Sequence, residues 1–144
     1  MAFKKILISV DDSAYSLEAV KKGVELAKLN NAELGIIHVI DESQTVGNID
    51  AGISPADALV ILEKASDKFM TGLKDIYFHD LNVRQFSPVG KPVKEIIKTA
   101  ERWGADLIVT GTHRTTGWKR MILGSISEDI IRHSKIPVMV VPLA

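Results

Sequence analysis

The sequence predicts an α/β fold: a doubly wound, five-stranded parallel sheet of strand order 3-2-1-4-5, with helices on both faces. Three observations carry this expectation. Short β-branched apolar runs alternate with longer amphipathic stretches along the chain. Most of those runs are apolar at consecutive positions, the mark of strands covered on both sides. The length of 144 residues suits one domain, expected to span 1–144, and such a chain can bury roughly two-thirds of the surface it exposes when unfolded.

The first run is ILISV at 6–10, the second LGIIHVI at 34–40, the fourth DLIVT at 106–110 and the last PVMVV at 137–141. A weaker third strand, NVRQFS at 82–87, alternates in polarity and belongs near a sheet edge. Between the strands lie four helical patterns. Residues 13–29 carry an apolar stripe of Leu17, Val20, Val24 and Ala27, and residues 55–78 repeat one through Leu59, Leu62, Ala65, Phe69, Leu73 and Ile76. The third runs over 92–103, with Pro92 at its first position and Gly104 at its stop. The fourth covers about 125–134, with Arg132, His133 and Lys135 where a helix dipole favours positive charge. Residues 41–54 are polar and glycine-containing, and are expected to form an extended, mobile loop. The segment 112–123 is longer than a bare connection needs, which points to a binding loop.

Composition narrows the chemistry. Lys plus Arg and Asp plus Glu both number 18, so the chain is formally neutral. That argues against a nucleic-acid partner gripped by its phosphates. With no cysteine, disulfides, thiolate zinc sites and thiol catalysis are excluded. The apolar run near the start has five residues, too short for a signal-peptide core or a membrane span. The expectation is a cytoplasmic protein with no membrane partner.

Open parallel sheets bind ligands beyond the carboxyl ends of their strands, where the strand order reverses. In this order the crevice lies between the first and fourth strands. After the first strand stand Asp11, Asp12 and Ser13; after the fourth come Gly111 and a run through Ser127. Gly111 permits a tight turn, and Gly124 with Ser125 at a helix start lets backbone N–H groups approach an anion. Ser125 and Ser127 add hydroxyls, while Arg114, Lys119 and Arg120 add positive charge. Gly124 and Ser125 serve equally well as a helix cap, with Glu128 completing a capping box. Asp12 and Ser13 read as caps, whereas Asp11, one step earlier, reads as a ligand contact. His38 reads as a satisfied core histidine and Trp118 as packing. His113 suits either a phosphate contact or solvent, and Lys91, Lys94 and Lys98 form a solvated helix face.

Rival motifs fail. No GxGxxG follows the first strand and no GxxxxGK[ST] occurs anywhere. The pair Asp11-Asp12 also suits a response-regulator receiver, which needs an Asp after the third strand and a Lys after the fifth; the chain has Ser87-Pro88 and Pro142-Leu143 there.

From ILISVDDSAYS through GIIHVID to ADLIVTGTHRTTGWKRMILGSISEDIIRHSKIPVMVV, the whole chain resembles the universal stress proteins. Its most specific part is the GxxGx9G[ST] loop after the fourth strand. The resemblance implies an adenine nucleotide alpha-hydrolase-like fold and ATP as ligand. It places adenine and ribose contacts at Ser9, Val10, Asp11 and Val39, and triphosphate contacts at Gly111, Gly124, Ser125, Ile126 and Ser127. It also implies Mg or Mn bridging the phosphates, and a homodimer through the strand at 136–143, whose ladder Pro137 and Pro142 would limit.

One position departs from the pattern: Arg114 stands where the loop has its second glycine. A non-glycine residue held at positive φ costs ~1 kcal/mol or more. A guanidinium fork onto phosphate returns roughly 1.5–3 kcal/mol per charge-assisted bond. Retained ATP binding is the favoured outcome, and a nucleotide-free dimer acting through protein contacts is the alternative. No catalytic residue is assigned, because no base with an orienting partner is legible; any ATP hydrolysis should be slow.

Overall fold

A computed structural model describes residues 2–11, 13–79, 81–112 and 125–143. In chain order the elements are β1 (Lys5–Ser9), α1 (Ala14–Asn30), β2 (Glu33–Ile37), β3 (Ile40–Asp41), α2 (Pro55–Leu73), β4 (Val83–Phe86), β5 (Val89–Gly90), α3 (Pro92–Trp103), β6 (Leu107–Thr112), α4 (Ser125–His133) and β7 (Val138–Pro142). The main sheet runs β4-β2-β1-β6-β7, and every pair in it is parallel. Counting only the five long runs, this is 3-2-1-4-5, as the sequence predicts.

β1 lies at the centre because three successive residues, Ile6, Leu7 and Ile8, have no exposed surface at all. The alternation of a strand sends their side chains to opposite faces. Ile6 and Ile8 pack with Ala19, Val20 and Val24 of α1 and Met70 and Leu73 of α2. Leu7 packs with Ile96 and Ala100 of α3 and Ile130 of α4. Each such side chain gains about 1.5–3 kcal/mol on burial, so the helices of both layers are held to the sheet by apolar contact.

Local chemistry sets the helix ends. Ser13 caps α1 by accepting a hydrogen bond from the Ser16 N–H, and Ser54 caps α2 by accepting from the Asp57 N–H at 3.1 Å. Pro92 opens α3, and Gly104 closes it in the left-handed region at φ 83°.

Three features refine the sequence reading. The second apolar run is not one strand: it is interrupted at His38 and Val39, and Ile40–Asp41 pairs separately with Val89–Gly90. The pattern at 55–78 stays α-helical only to Leu73 and then widens into a π turn, Lys74–Phe78, that carries Phe78 into the core. Residues 41–54 are not simply extended: they hold a 3-10 turn at Glu42–Gln44 and an antiparallel bridge between Asn48 and Ile53. Among the described residues no helix is long and apolar enough to cross a membrane.

The contact of α1 with β1 is tight enough to test. A Cβ at Gly23 would overlap Cδ1 of the fully buried Ile8. Overpacking of this kind costs about 1–3 kcal/mol, so Gly23→Ala should lower the urea midpoint. Ile8→Val in the same background removes Cδ1, the nearer of two clashing atoms, while Cγ1 stays, and should recover only part of the loss.

Candidate ligand site at the sheet switch point

β1 and β6 are neighbours, yet α1 covers one face of the sheet and α4 the other. Beyond their carboxyl ends opens a cavity of about 620 Å³, within the range of small-molecule sites. Its walls come from Ser9, Val10 and Asp11 at the end of β1, from His38 and Val39 between β2 and β3, and from Ile40 and Asp41 of β3. The rest is Gln44, with Tyr15 and Ser16 of α1, Leu62, Ala65, Ser66 and Phe69 of α2, Pro92 and Ile96 of α3, Thr110, Gly111 and Thr112 of β6, and Ile126 and Ser127 of α4.

Asp11 and Asp41 stand at equivalent corners. The Oδ1 of Asp11 accepts hydrogen bonds from the N–H of Ser13, at 2.8 Å, and from its hydroxyl. The Oδ1 of Asp41 accepts from the N–H of Ser43, at 3.0 Å, and from its hydroxyl, at 2.8 Å. Two Asp-x-Ser turns thus mark the ends of two neighbouring paths of chain. The Asp11 N–H also donates to the Ser16 hydroxyl at 2.8 Å, tying the end of β1 to α1. The two Ser43 hydrogen bonds, backbone first, hold the Asp41 carboxyl below its ordinary value of 3.8.

His38 is satisfied, as expected, but it forms a wall of the cavity rather than part of the core. Its Nδ1 lies 2.6 Å from the Ser66 hydroxyl, which donates onward to Ser87 at 3.3 Å. Its ring stands against Phe69, with centroids 5.3 Å apart. Gly111 corrects another expectation, since it lies inside β6 and forms no turn. A Cβ there would overlap the carbonyl oxygen of Tyr15, so glycine is required by the close approach of α1 to β6.

Of the residues singled out from sequence, Ser9, Val10, Asp11, Val39, Gly111, Ile126 and Ser127 line this one cavity. Ser125 begins α4. His113, Arg114 and Gly124 lie outside the described residues, as do Asp12, Trp118, Lys119 and Arg120. Glu128, read as half of a capping box, accepts from Arg132 at 2.8 Å. His38, Asp41, Ser66 and Phe69 were not assigned to the site. Only Asp41 carries a local signal, the Asp-x-Ser spacing it shares with Asp11. Among the described residues, no Lys or Arg lines the cavity, and no cluster of three or more His, Asp or Glu offers a metal site.

Fold and cavity together define a doubly wound α/β domain with an open crevice at its switch point. The family model described as "Universal stress protein family" matches residues 2–142, and the chain belongs to that family. Universal stress protein MJ0531 of Methanocaldococcus jannaschii is 35% identical over 139 residues, covering 96% of this chain and 82% of the relative. The solved structure of MJ0577, a second protein of that organism, superposes with a TM-score of 0.83 at 30% identity, covering 100% of this chain and 99% of its own. A universal stress protein in complex with cAMP superposes at 0.64 with 26% identity, covering 98% of both chains.

The lowered Asp41 value fixes a pH response. A carboxyl depressed on folding contributes stability above its unfolded value, and that contribution is lost as pH falls through the lower folded value. NMR titration should therefore place the Asp41 midpoint below 3.8. In Ser43→Ala, which removes the hydroxyl donor, the midpoint should move up towards 3.8, and the turn should open at higher pH.

Proposed function

We propose that this chain is an adenine-nucleotide-binding stress protein, formed as one domain over 1–144, with ATP as its ligand. The observation that carries the reading is the convergence of Ser9, Val10, Asp11, Val39, Gly111, Ile126 and Ser127 on one cavity. Base and ribose sit towards Asp11 and Val39. The phosphates lie towards Gly111 and the start of α4, where helix N–H groups and the Ser127 side chain favour an anion. The cAMP bound by a related universal stress protein supports an adenine nucleotide in this fold.

A divalent cation would be held here mainly by the phosphates. Asp11 and Asp41 already use an oxygen each on serine, and the described residues supply no closed ligand set. Mg²⁺ bound mainly by substrate oxygens and water agrees with its chemistry. Acid-denatured protein should release adenine nucleotide, and titration with ATP and Mg²⁺ should give saturable heat. Absence of both would overturn the reading.

The homodimer belongs to the same proposal. β7 is an edge strand whose Val138, Met139, Val140 and Val141 are only half-buried, and an apolar edge of this kind invites a second copy. Light scattering at micromolar protein should give twice the chain mass of 15.8 kDa. Val140→Arg, which places a charge in that edge, should give the monomer.

A further inference from the structure

We propose that Asp41 determines which nucleobase the site accepts, favouring a base with an amine donor at its edge and rejecting one that is anionic. The inference rests on the nucleotide reading above and deepens it. Asp41 lines the cavity from the β2 side of β1, whereas Thr112 lines it from the β6 side. Its backbone is fixed by the parallel pairing of Asp41 with Gly90, and by the Ile40 N–H donating to the Pro88 carbonyl at 2.8 Å. Its carboxylate is fixed by both Ser43 hydrogen bonds to Oδ1. A carboxyl of ordinary value 3.8 is ionised throughout the physiological range, and those bonds lower it further.

A fixed carboxylate only accepts hydrogen bonds. It complements the exocyclic amine of adenine and opposes an oxo group or a negative charge at the same edge. Asp11, the other carboxylate of the lining, adds to the penalty on an anionic base. No described Lys or Arg in the lining offsets it.

The test is calorimetric titration of the full chain with adenosine and xanthosine 5′-triphosphates at pH 8, where the xanthine base is an anion. The wild-type protein should bind the adenosine compound at least about tenfold more tightly, and Asp41→Asn should shrink that ratio by about tenfold, the size of one charge-assisted hydrogen bond. Ser43→Ala keeps the charge and the backbone N–H bond but removes the hydroxyl donor, so the carboxylate is held less firmly, and it should weaken adenosine binding several-fold while still rejecting xanthosine. An unchanged ratio in Asp41→Asn, or equal binding of both compounds by the wild type, overturns the role of Asp41 and leaves nucleotide binding standing. Should Asp41→Asn not fold by circular dichroism, undiminished adenosine affinity in Ser43→Ala overturns it instead. If the wild type binds neither compound, the nucleotide reading falls and this inference with it.

Discussion

Everything in the fold follows from where β1 sits. Its residues hydrogen-bond to β2 on one side and β6 on the other, and Ile6, Leu7 and Ile8 are sealed from solvent by helices on both faces. A strand so enclosed needs crossovers that leave in opposite directions, because parallel neighbours joined by right-handed connections place their helices on opposite faces. α1 and α2 therefore cover one side while α3 and α4 cover the other. The chain parts at the carboxyl end of β1, and the cavity is the space left by that parting. Apolar packing and ligand site are consequences of one topological constraint.

The same constraint gives Gly111 its role. α1 must begin directly beside β6, so the Tyr15 carbonyl comes up against the strand, leaving no room for a Cβ. The hydroxyl of Ser16, almost fully buried, reaches back to the Asp11 N–H. These contacts place the Asp11 end of β1 and the Gly111 end of β6 in fixed relation before any ligand is considered. A site built this way is preorganised by backbone packing, which is more exacting than a site carried on side chains alone.

The five long strands were legible because each is enclosed on one or both faces and so spells a dense β-branched run. The position of 82–87 at an edge was legible for the converse reason, since Arg84 and Gln85 are exposed there. What periodicity could not show is the break at His38 and Val39. An apolar run reads the same whether it continues or is interrupted, and a two-residue strand such as β3 has no period to detect. For the cavity, lining residues at strand ends were readable from topology, because a switch point names its own residues. His38, Ser66 and Phe69 were not. They meet only because α2 packs against the chain between β2 and β3, and separations of 28 and 31 positions carry no local pattern. Asp41 is intermediate: its turn repeats the chemistry of Asp11, but its place in the cavity depends on pairing with Gly90.

Charge gives the cavity a direction. The described lining holds two carboxylates, a histidine and several hydroxyls, and no Lys or Arg. An anionic group cannot rest near Asp11 and Asp41 without like-charge repulsion, so the negative end of any ligand is driven towards β6 and α4. The α4 dipole alone contributes only about 0.3–1 kcal/mol to an exposed anion, little against several phosphate charges. Residues 113–124 carry Arg114, Lys119 and Arg120 and no acidic residue. A chain that is neutral overall has therefore drawn basic residues into one twelve-residue stretch and left the remainder net acidic. Within the described lining, the two carboxylates alone disfavour a molecule that carries negative charge on the side of Asp11 and Asp41.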